Sequence, residues 1–511
     1  MNTTKPLRCG DDLPTALYTA AQVRELDRLA MAQQGIAGFT LMRRAGRAAF
    51  EQLLRCWPEA GRRQPIVIVC GCGNNAGDGY VMASLAKQYG LAVSVLQVGD
   101  ASRLQGDALL ARQRALQDAV SVQAFTPGIV LEDAVVVDAI LGTGLNGPVR
   151  APQLEAINWL NQLSLPVLAV DVPSGLCSDT GQILGEAVNA DITVSFIGLK
   201  QGLLTAAGPD VAGDVYFDGL GTMTPTYAAV DHQCERLLLS KCLSILPGRR
   251  LSSHKGSHGH VLVIGGDTGM GGAAIMAAEA SARCGAGLVS CATQPNHTAA
   301  FISRSPEIMA NGVVSGQELE PLLVHPSVLV LGPGLGKRPW GEQLLQQAYN
   351  SGKPMVVDAD ALNMISAGRV LKKPYRSDWL LTPHPAEAAR LLGCSTEQVQ
   401  ANRFAAVREL QQRYGGAVIL KGAGSLVASD EAALSLCSYG NPGMATGGMG
   451  DVLSGVLGAL LAQGLTVAEA AKLGVCLHAY AGDIAAQQGM CGTMASDLIP
   501  VLRRIINGGI Q

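Results

Sequence analysis

Four oxygen-bearing side chains in the first half of the chain have the chemistry to bind a cation and to move a proton. Asn75 lies in a glycine-rich segment, and Asp138, Asp171 and Ser174 follow the ends of apolar runs. Amide, carboxylate and hydroxyl oxygens are hard ligands, which suit an alkali or alkaline-earth ion better than zinc. A single aspartate after a strand is commonly a helix N-cap, but several such groups together favour a site. Because residues 1–231 contain no histidine, a general acid or base there must be a carboxylate, Lys, Tyr or Cys, and Asp171 is our candidate.

Two glycine-rich segments accompany these residues. Gly71–Gly79 reads GCGNNAGDG, and Gly142–Gly147 reads GTGLNG. Closely spaced glycines before a helix allow backbone N–H groups to reach a phosphate, and the helix dipole favours the anion. An ordinary tight turn between strand and helix is the alternative. We expect the helix after the first segment to begin near Tyr80.

The second half of the chain contains a stretch suited to phosphoryl transfer. Residues 441–455 read NPGMATGGMGDVLSG and lead into a long apolar helix. Glycines before a helix N-terminus can form an anion hole for a transferring phosphoryl group, and Asp451 can accept the proton of an attacking hydroxyl. The alternative role for Asp451 is a helix N-cap. Glycine-rich segments also follow strands at 265–272, 332–336 and 421–425, which suggests a nucleotide laid across a sheet edge, although none has P-loop spacing.

Three histidines, His254, His258 and His260, lie within seven residues near the start of this half. Such a cluster can bind a metal, yet no cysteine or carboxylate cluster accompanies it. A solvated loop is the simpler interpretation, and Lys255 with Gly256 could instead bind an anion. The role of this segment stays open.

Short apolar runs that alternate with Ala- and Leu-rich helical stretches must position all of these residues. Continuous apolar runs are typical of strands buried on both faces, and strand–helix alternation indicates a parallel sheet with right-handed crossovers. Ligands of such sheets bind at the carboxyl ends of the strands. A capping-box pattern at Thr19–Gln22 and apolar residues over Leu41–Leu54 predict two helices before the first strand. The predicted strands are Ile66–Cys70, Val135–Val137, Val167–Val170, Ile192–Phe196, Val261–Ile264, Val328–Leu331, Met355–Val357 and Ala417–Leu420.

This pattern is interrupted once, by a polar and irregular stretch at roughly Thr222–Arg236. We therefore predict an α/β fold with two doubly wound domains, residues 1–225 and residues 240–511. The two halves share no convincing sequence match, so they are two different units and not an internal repeat.

Composition excludes several other classes of protein. With Lys+Arg 38 and Asp+Glu 41 the net charge is -3, so we expect binding neither to nucleic acid nor to a membrane. The 62 glycines occur beside 48% hydrophobic and 15% charged residues, which excludes disorder and leaves many ligand-facing turns. The 13 cysteines are scattered, as in a reducing cytosol, and the N-terminal sequence lacks the pattern of a secretion signal. The apolar stretch Val452–Leu465 is too short for a membrane span, so we expect a cytoplasmic protein.

The motifs GNNAGDG, DAILGTGLNGP and DVPSGL, in this order, resemble the NAD(P)H-hydrate epimerase family over roughly residues 15–220. The resemblance implies a Rossmann-like domain that binds hydrated nicotinamide dinucleotide and interconverts the R and S epimers at ring carbon 6. It also implies a potassium ion held by Asn75, Asp138 and Ser174. Ala76 departs from the family, which more often has Gly there, and a methyl group is tolerated if the backbone φ is negative. The implied dinucleotide-binding residues are Asn74, Asn75, Ala76, Gly77, Asp78, Gly142, Thr143, Gly144, Leu145, Asn146, Gly147, Pro148 and Asp171.

The second half resembles the ribokinase-like fold and, within it, the NAD(P)H-hydrate dehydratase family, over about residues 240–505. The motifs are HKGSHG, GPGLG, DADALN, TPHPAE, KGAGS and NPGMATGGMGDVLSG. The resemblance implies that a nucleotide phosphorylates the hydrate hydroxyl and that phosphate then leaves, which restores the nicotinamide double bond. The implied hydrate-binding residues are Ala273, Gly334, His384 and the catalytic Asp451, and the implied nucleotide-binding residues are Lys421, Gly422, Ala423, Gly424, Ser425 and Gly450.

Together the two resemblances imply a bifunctional enzyme that repairs NADHX and NADPHX, the hydrates of NADH and NADPH. The phosphoryl donor is ADP or ATP with Mg²⁺, and similarity to bacterial two-domain forms favours ADP. We also expect a homo-oligomer. Two alternatives are a small-molecule kinase with an N-terminal binding domain, and a dinucleotide sensor or interaction module without catalytic activity.

Overall fold

The computed structural model describes residues 12–509. Residues 1–11, which belong to the predicted first domain and to the segment tested for a secretion signal, lie outside the described part of the chain. Residues 510–511 at the end of the predicted second domain do so as well. The described chain divides into two units, residues 12–234 and residues 235–509.

The first unit alternates strands and helices. Its elements are β1 (Ala16–Tyr18), α1 (Ala20–Gln34), α2 (Gly38–Cys56), β2 (Ile66–Cys70), α3 (Asn74–Gln88), β3 (Val93–Gln97), α4 (Gly106–Gln117), β4 (Ser121–Ala124), β5 (Val135–Ala139), α5 (Gln153–Gln162), β6 (Val167–Val170), β7 (Ile192–Phe196), β8 (Leu199–Lys200), α6 (Gly208–Val211), β9 (Asp214–Asp218) and α7 (Thr224–Ala228). Seven strands form a parallel sheet in the order β4-β3-β2-β5-β6-β7-β9. A separate parallel pair joins β1 to β8.

The strand and helix predictions for this unit are confirmed. Three of the four strands have the predicted bounds, and β5 continues to Ala139. The residues of β2, β5, β6 and β7 are buried throughout, as expected for strands covered on both faces. At the start of α1, Gln22 N donates to Thr19 Oγ1 and Thr19 N donates to Gln22 Oε1, which completes the capping box.

The predicted start of α3 near Tyr80 was wrong, because the helix begins at Asn74. Asn and Gly have low intrinsic helix propensity, and here packing overrides it. A Cβ on Gly79 would lie 2.7 Å from Ala139 Cβ and 2.9 Å from Cys70 Sγ, so glycine allows α3 to contact the sheet closely. Part of the glycine-rich segment therefore serves packing rather than a ligand.

β10 (Cys234–Arg236) contains the last residue of the first unit, and the second unit continues the strand–helix pattern. Its elements are α8 (Leu239–Leu243), β11 (His260–Ile264), α9 (Gly271–Arg283), β12 (Leu288–Thr293), α10 (Thr298–Arg304), β13 (Met309–Gly312), α11 (Gly316–Leu319), β14 (Val328–Leu331), α12 (Pro339–Asn350), β15 (Met355–Val357), α13 (Ala359–Ala367), β16 (Trp379–Leu381), α14 (Pro385–Leu392), α15 (Thr396–Ala401), α16 (Arg403–Tyr414), β17 (Ala417–Leu420), β18 (Ser425–Ala428), β19 (Leu434–Cys437), α17 (Met449–Ala462), α18 (Val467–Ala485) and α19 (Ala495–Ile506).

The second unit contains a sheet in the order β13-β12-β11-β14-β15-β16-β17-β18-β19. The seven strands from β13 to β17 run parallel, whereas β18 and β19 are antiparallel to their neighbours. The four strands predicted here are confirmed, although the prediction of a parallel sheet missed the antiparallel pair. The segment 421–424 is consequently the turn of a hairpin, not a strand-to-helix connection.

Helix α17 is buried along most of its length and packs between α9 and the sheet. A Cβ on Gly455 would lie 2.1 Å from Ala277 O, and one on Gly458 would lie 2.4 Å from Val330 Cγ2. Because glycine occupies both positions, the helix can approach its neighbours closely enough to bring its N-terminus to the sheet edge.

The stretch Thr222–Arg236 is less irregular than predicted, since it contains α7 and β10. A Thr-Pro pair starts α7, because proline suits the first turn of a helix. Over residues 12–509, no helix combines the length and apolar character needed to cross a bilayer.

Candidate functional site

The carboxyl ends of β2, β5, β6 and β7 lie side by side in the sheet of the first unit. Asn75 follows β2, Asp138 is the fourth residue of β5, and Asp171 and Ser174 follow β6. Neighbouring parallel strands bring their carboxyl ends to one edge, and this is the edge at which the sequence predicts a ligand.

Asp138, Ser174 and Asn75 belong to one buried hydrogen-bonded network. Ser174 Oγ donates to Asp138 Oδ1 at 2.6 Å, and Ser174 N donates to Asp138 Oδ2 at 2.7 Å. Leu141 N donates to Ser174 Oγ at 2.8 Å, and Asn75 Nδ2 donates to Leu141 O at 2.9 Å. The backbone after β5 thus links the three side chains.

Two features of this network fit a cation. Asn75 Oδ1 is buried and has no hydrogen-bond partner, which is unusual because buried polar atoms are nearly always paired. Asp138 is 0% exposed, and its burial raises the pKa of the carboxyl to about 6 despite the hydrogen bonds from Ser174. A positive ion would satisfy the amide oxygen and favour the charged carboxylate, and amide, carboxylate and hydroxyl oxygens are ligands of hard cations.

Asp171 lies at the end of β6 with φ 66, a left-handed backbone conformation that is uncommon for a residue other than glycine. Its Oδ1 forms an ion pair with Lys200 Nζ, and Phe196 N also donates to Oδ1 at 3.3 Å. Lys200 is almost completely buried, with 1% of its side chain exposed. Strained conformations of this kind are found preferentially at functional sites.

Two further carboxyl groups, Asp78 on α3 and Asp27 on α1, interact electrostatically with Asp171 and Lys200. Burial and the charge of Asp171 raise the pKa of Asp78 well above its usual range. Burial is also the main reason that the pKa of Asp27 rises to about 6, and Lys200 partly opposes that rise. Burial therefore disfavours the charged form of both carboxyls.

The residues expected to bind a dinucleotide fall into two groups. Residues 74–78 form the first turn of α3. The N–H groups of residues 74–76 have no acceptor within the helix and attract anions, whereas Gly77 N donates to Gly73 O at 3.4 Å. Asn74 is exposed, whereas Ala76 is buried and helical, so its methyl group is accommodated as expected. The segment 142–148 is a loop, mostly exposed or half-buried, and Gly142 lies against Asn75.

In the second unit, β11, β14, β15, β16 and β17 are consecutive neighbours in the sheet. The glycine-rich segments predicted from the sequence follow three of them, and Asp358 and Thr382 follow the other two. The structure thus brings these segments to one edge.

Asp358 is the centre of a buried network at this edge. Its Oδ1 accepts from Lys421 Nζ at 2.9 Å and from Thr382 Oγ1 at 2.7 Å, and its Oδ2 accepts from Ser454 Oγ at 2.9 Å. Although burial opposes the charge of Lys421, Asp358 and Glu387 raise its pKa. This network joins the carboxyl ends of strands β15, β16 and β17 to the second turn of α17.

Asp451 is the third residue of α17, directly after Gly450. Burial and the nearby charge of Asp358 raise the pKa of its carboxyl to about 7, while Lys421 acts in the opposite direction. A Cβ on Gly450 would lie 3.2 Å from Lys421 Nζ. A carboxylate that titrates near neutral pH beside a fixed ammonium and a helix N-terminus suits proton transfer coupled to phosphoryl transfer.

The other residues expected to bind the hydrate lie on three neighbouring segments. A Cβ on Gly334 would lie 3.2 Å from Ala273 Cβ, so these two residues are adjacent. His384 is the N-cap of α14, where its Nδ1 accepts from Ala386 N at 3.2 Å. Burial, together with Lys421 and Arg390, lowers the pKa of His384, which favours its neutral form.

The turn 421–425 is organised by Arg403, a buried residue at the start of α16. Its Nη2 donates to Lys421 O at 3.2 Å and to Leu420 O at 3.3 Å. A Cβ on Gly422, which has φ 138, would lie 2.9 Å from Arg403 Nη1, so glycine allows the close approach. Ser425 Oγ donates to Gly422 O at 3.0 Å across the turn.

Sequence reasoning missed Lys200, Asp27, Asp358 and Arg403 as site residues. Asp358 directly follows a predicted strand, so the rule that identified Asp138 could have found it. The other three carried no signal, because tertiary packing alone brings them to the site.

The histidine segment does not form a metal site. Lys255–His258 is a short 3₁₀ turn, in which Lys255 is exposed and His258 is half-buried. Across residues 12–509, no group of three or more His, Cys, Asp or Glu side chains could hold a metal ion. His254 and Lys255 are exposed, so this part of the segment fits the solvated-loop interpretation.

Known proteins match both units. Residues 261–504 match the protein family described as NAD(P)H-hydrate dehydratase, and residues 38–202 match the family described as YjeF-related protein N-terminus. The chain is 46% identical to the bifunctional NAD(P)H-hydrate repair enzyme of Coxiella burnetii, over 96% of this chain and 100% of that protein. It is 42% identical to the enzyme of the same name from Vibrio cholerae, over 97% of this chain and 99% of that protein. A solved ribokinase-like superfamily protein from Enterococcus faecalis is 28% identical, with TM-score 0.50, and covers 55% of this chain and 97% of its own.

Proposed function

The chain belongs to the family of bifunctional NAD(P)H-hydrate repair enzymes, and on this premise we propose which reaction each unit carries out. The first unit interconverts the R and S epimers of NADHX and NADPHX. The second unit dehydrates the S epimer to NADH or NADPH at the expense of a nucleotide. One chain with both activities leaves neither epimer unrepaired.

In the first unit, Asp171 is the base. The hydrate carbon bears both a hydroxyl group and the ring nitrogen. When Asp171 takes the hydroxyl proton, the carbon–nitrogen bond can break to give an aldehyde, and the nitrogen takes up a proton. Asp78, whose buried carboxyl has a pKa well above its usual range, is suited to supply it. Closure on the other face reverses these transfers and gives the other epimer.

A potassium ion would be held by Asn75, Asp138 and Ser174, and bound there it would supply positive charge near the dinucleotide. The unpartnered Asn75 Oδ1 and the buried Asp138 support this assignment. The N–H groups at the start of α3 and the loop 142–148 would bind the phosphates and ribose of the substrate.

In the second unit, Asp451 accepts the proton of the hydrate hydroxyl while that oxygen attacks the terminal phosphorus of the nucleotide. The turn 421–425 and Gly450 bind the nucleotide, and Lys421 lies where it can offset phosphate charge. Phosphate then leaves with the hydroxyl oxygen as the neighbouring ring carbon loses a proton, which restores the double bond. Phosphate is a far better leaving group than hydroxide.

The observation that carries the dehydratase assignment is the position of Asp451, at a glycine-rich helix N-terminus and beside the buried Asp358–Lys421 pair. We favour ADP over ATP as the donor. Mg²⁺ would enter with the nucleotide, because it is usually bound through phosphates and few protein ligands. We further propose domains 1–225 and 240–511, a homo-oligomer and a cytoplasmic location.

An assay with purified epimers tests both reactions. With nucleotide, the full chain should restore the absorbance of the reduced nicotinamide from either epimer. Asp171→Ala should use only the S epimer, and Asp451→Asn should use neither. A mixture of the two variants should recover activity on the R epimer. A stable phosphorylated product would instead indicate a small-molecule kinase, and binding without turnover would indicate a sensor.

A further inference from the structure

We propose that Lys200 is a positioning residue for epimerisation, which holds the Asp171 carboxylate in one orientation. The inference rests on the epimerase activity proposed above and adds a residue that acts through Asp171. No functional role for this lysine follows from its position in the sequence.

The contacts of Lys200 tie the ammonium and the carboxylate to the same backbone segment. Lys200 Nζ forms the ion pair with Asp171 Oδ1 and also donates to Phe196 O at 2.9 Å. Phe196 N donates to the same Asp171 oxygen at 3.3 Å. The Asp171 carboxylate is therefore held by the Lys200 ammonium and by the Phe196 N–H group. The Lys200 ammonium is held in turn by that carboxylate and by the Phe196 carbonyl.

Burial makes this arrangement specific. Only 1% of the Lys200 side chain is exposed, and a buried ammonium is strongly disfavoured unless it is paired and hydrogen-bonded. The strand that carries it, β8, pairs with β1 in the register Tyr18↔Lys200. A Cβ on Gly198 would lie 3.0 Å from Val23 Cγ2 and 3.1 Å from Leu26 Cδ1, so α1 packs directly on the segment before Lys200.

Several other charged groups face this pair. Asp27 and Arg24 lie on α1, and Asp78 lies on α3. Both aspartates interact with Lys200 and Asp171, and burial raises the pKa of each. Of the three aspartates named here, Asp171 is the one that forms an ion pair with Lys200.

The test compares Lys200→Gln, which keeps a hydrogen-bond donor but loses the charge, with Lys200→Arg, which keeps the charge. Epimerisation by the full chain is measured from pH 4 to pH 9 with purified epimers. Dehydration of the S epimer by the same preparations is the internal control, because Lys200 lies outside that unit. If the wild type lacks epimerase activity, the proposed epimerase function is wrong. If the wild type is active and the Lys200 variants behave like it, only the proposed role of Lys200 is wrong.

For Lys200→Gln we expect kcat to fall about 100-fold, with KM changed less than about threefold. Lys200→Arg should recover at least about tenfold of the loss. An unchanged kcat, or a loss that lies entirely in KM, would overturn the proposal. If Lys200→Gln does not fold, Lys200→Arg decides: a kcat at least about threefold below the wild type with KM nearly constant supports the role, and a kcat within about threefold of the wild type refutes it.

Discussion

Asp451→Asn should remove dehydration and, at alkaline pH, make the second unit more stable. The substitution keeps the size of the side chain but removes the proposed base. General-base catalysis contributes about 10²- to 10⁴-fold in rate, so turnover should fall by that amount while nucleotide binding is kept. The change in stability comes from burial, because a half-buried carboxylate near Asp358 is unfavourable when charged.

The size of the stability effect follows from the pKa of Asp451, which is about 7 in the folded chain against an ordinary 3.8. The folded state holds this proton between pH 4 and pH 7, after the unfolded state has released it. Stability from this group is therefore present below pH 4 and lost as the pH rises through 7. At about 1.4 kcal/mol per pH unit, the ionised carboxylate costs at most about 4 kcal/mol. Asp451→Asn removes that cost at pH 8 and changes little at pH 4.

The same pKa determines the pH profile of the wild type. A base is active when it is deprotonated, so kcat for dehydration should rise about tenfold from pH 6 to pH 8 and then level off. Thermal unfolding and nicotinamide absorbance, followed over this range, measure both effects. Asp497→Asn is a matched control, because Asp497 is also the third residue of a helix but caps α19 away from the network.

Asp497→Asn should leave turnover within about twofold and lower stability by about 0.5–1 kcal/mol, as loss of an N-terminal capping carboxylate does. Three results would refute the reasoning for Asp451. These are wild-type turnover in Asp451→Asn, an acidic limb near pH 4 in the wild type, and a variant that is less stable at pH 8.

Four further predictions concern other parts of the chain. Asp171→Ala should slow epimerisation at least about 100-fold, seen by chromatography of the epimers, and leave S-hydrate dehydration unchanged. Epimerisation should require potassium, and equal rates in sodium-only buffer would contradict this. Potassium should also raise the melting temperature of the wild type, and Asn75→Ala should abolish that rise. Arg403→Met should raise the KM for nucleotide about tenfold with kcat nearly constant, because the turn loses its support. Gly79→Ala should lower the free energy of unfolding by about 1–3 kcal/mol, whereas Gly73→Ala, in open space, should cost under about 1 kcal/mol by urea unfolding.

The sequence predicted the elements of the sheet well because the strands are short apolar runs bounded by Gly or Asp. Ile66–Cys70 and Val328–Leu331 have the predicted bounds. The prediction was wrong at the start of α3, where packing overrides the low helix propensity of Asn and Gly. Gly79 allows that helix to lie against the sheet. The prediction also missed β18 and β19, because a hairpin turn and a strand-to-helix turn share the same glycines.

What the sequence determined by itself was the chemistry available at the strand ends. Asn75, Asp138, Asp171 and Asp451 follow directly from motif order and from the rule that parallel sheets gather ligands at one edge. Local sequence is sufficient there, because each residue lies next to the strand or helix that positions it.

Only the tertiary structure decided which distant groups set the charge of these residues. Lys200 reaches Asp171 through the pairing of β8 with β1, and Asp27 reaches the same site on a helix that packs over that pair. Asp358 accepts hydrogen bonds from Thr382, which is 24 residues away in the sequence, and from Ser454 on α17, which is 96 residues away. Electrostatic effects depend on distance and burial in space, and sequence separation carries no information about either.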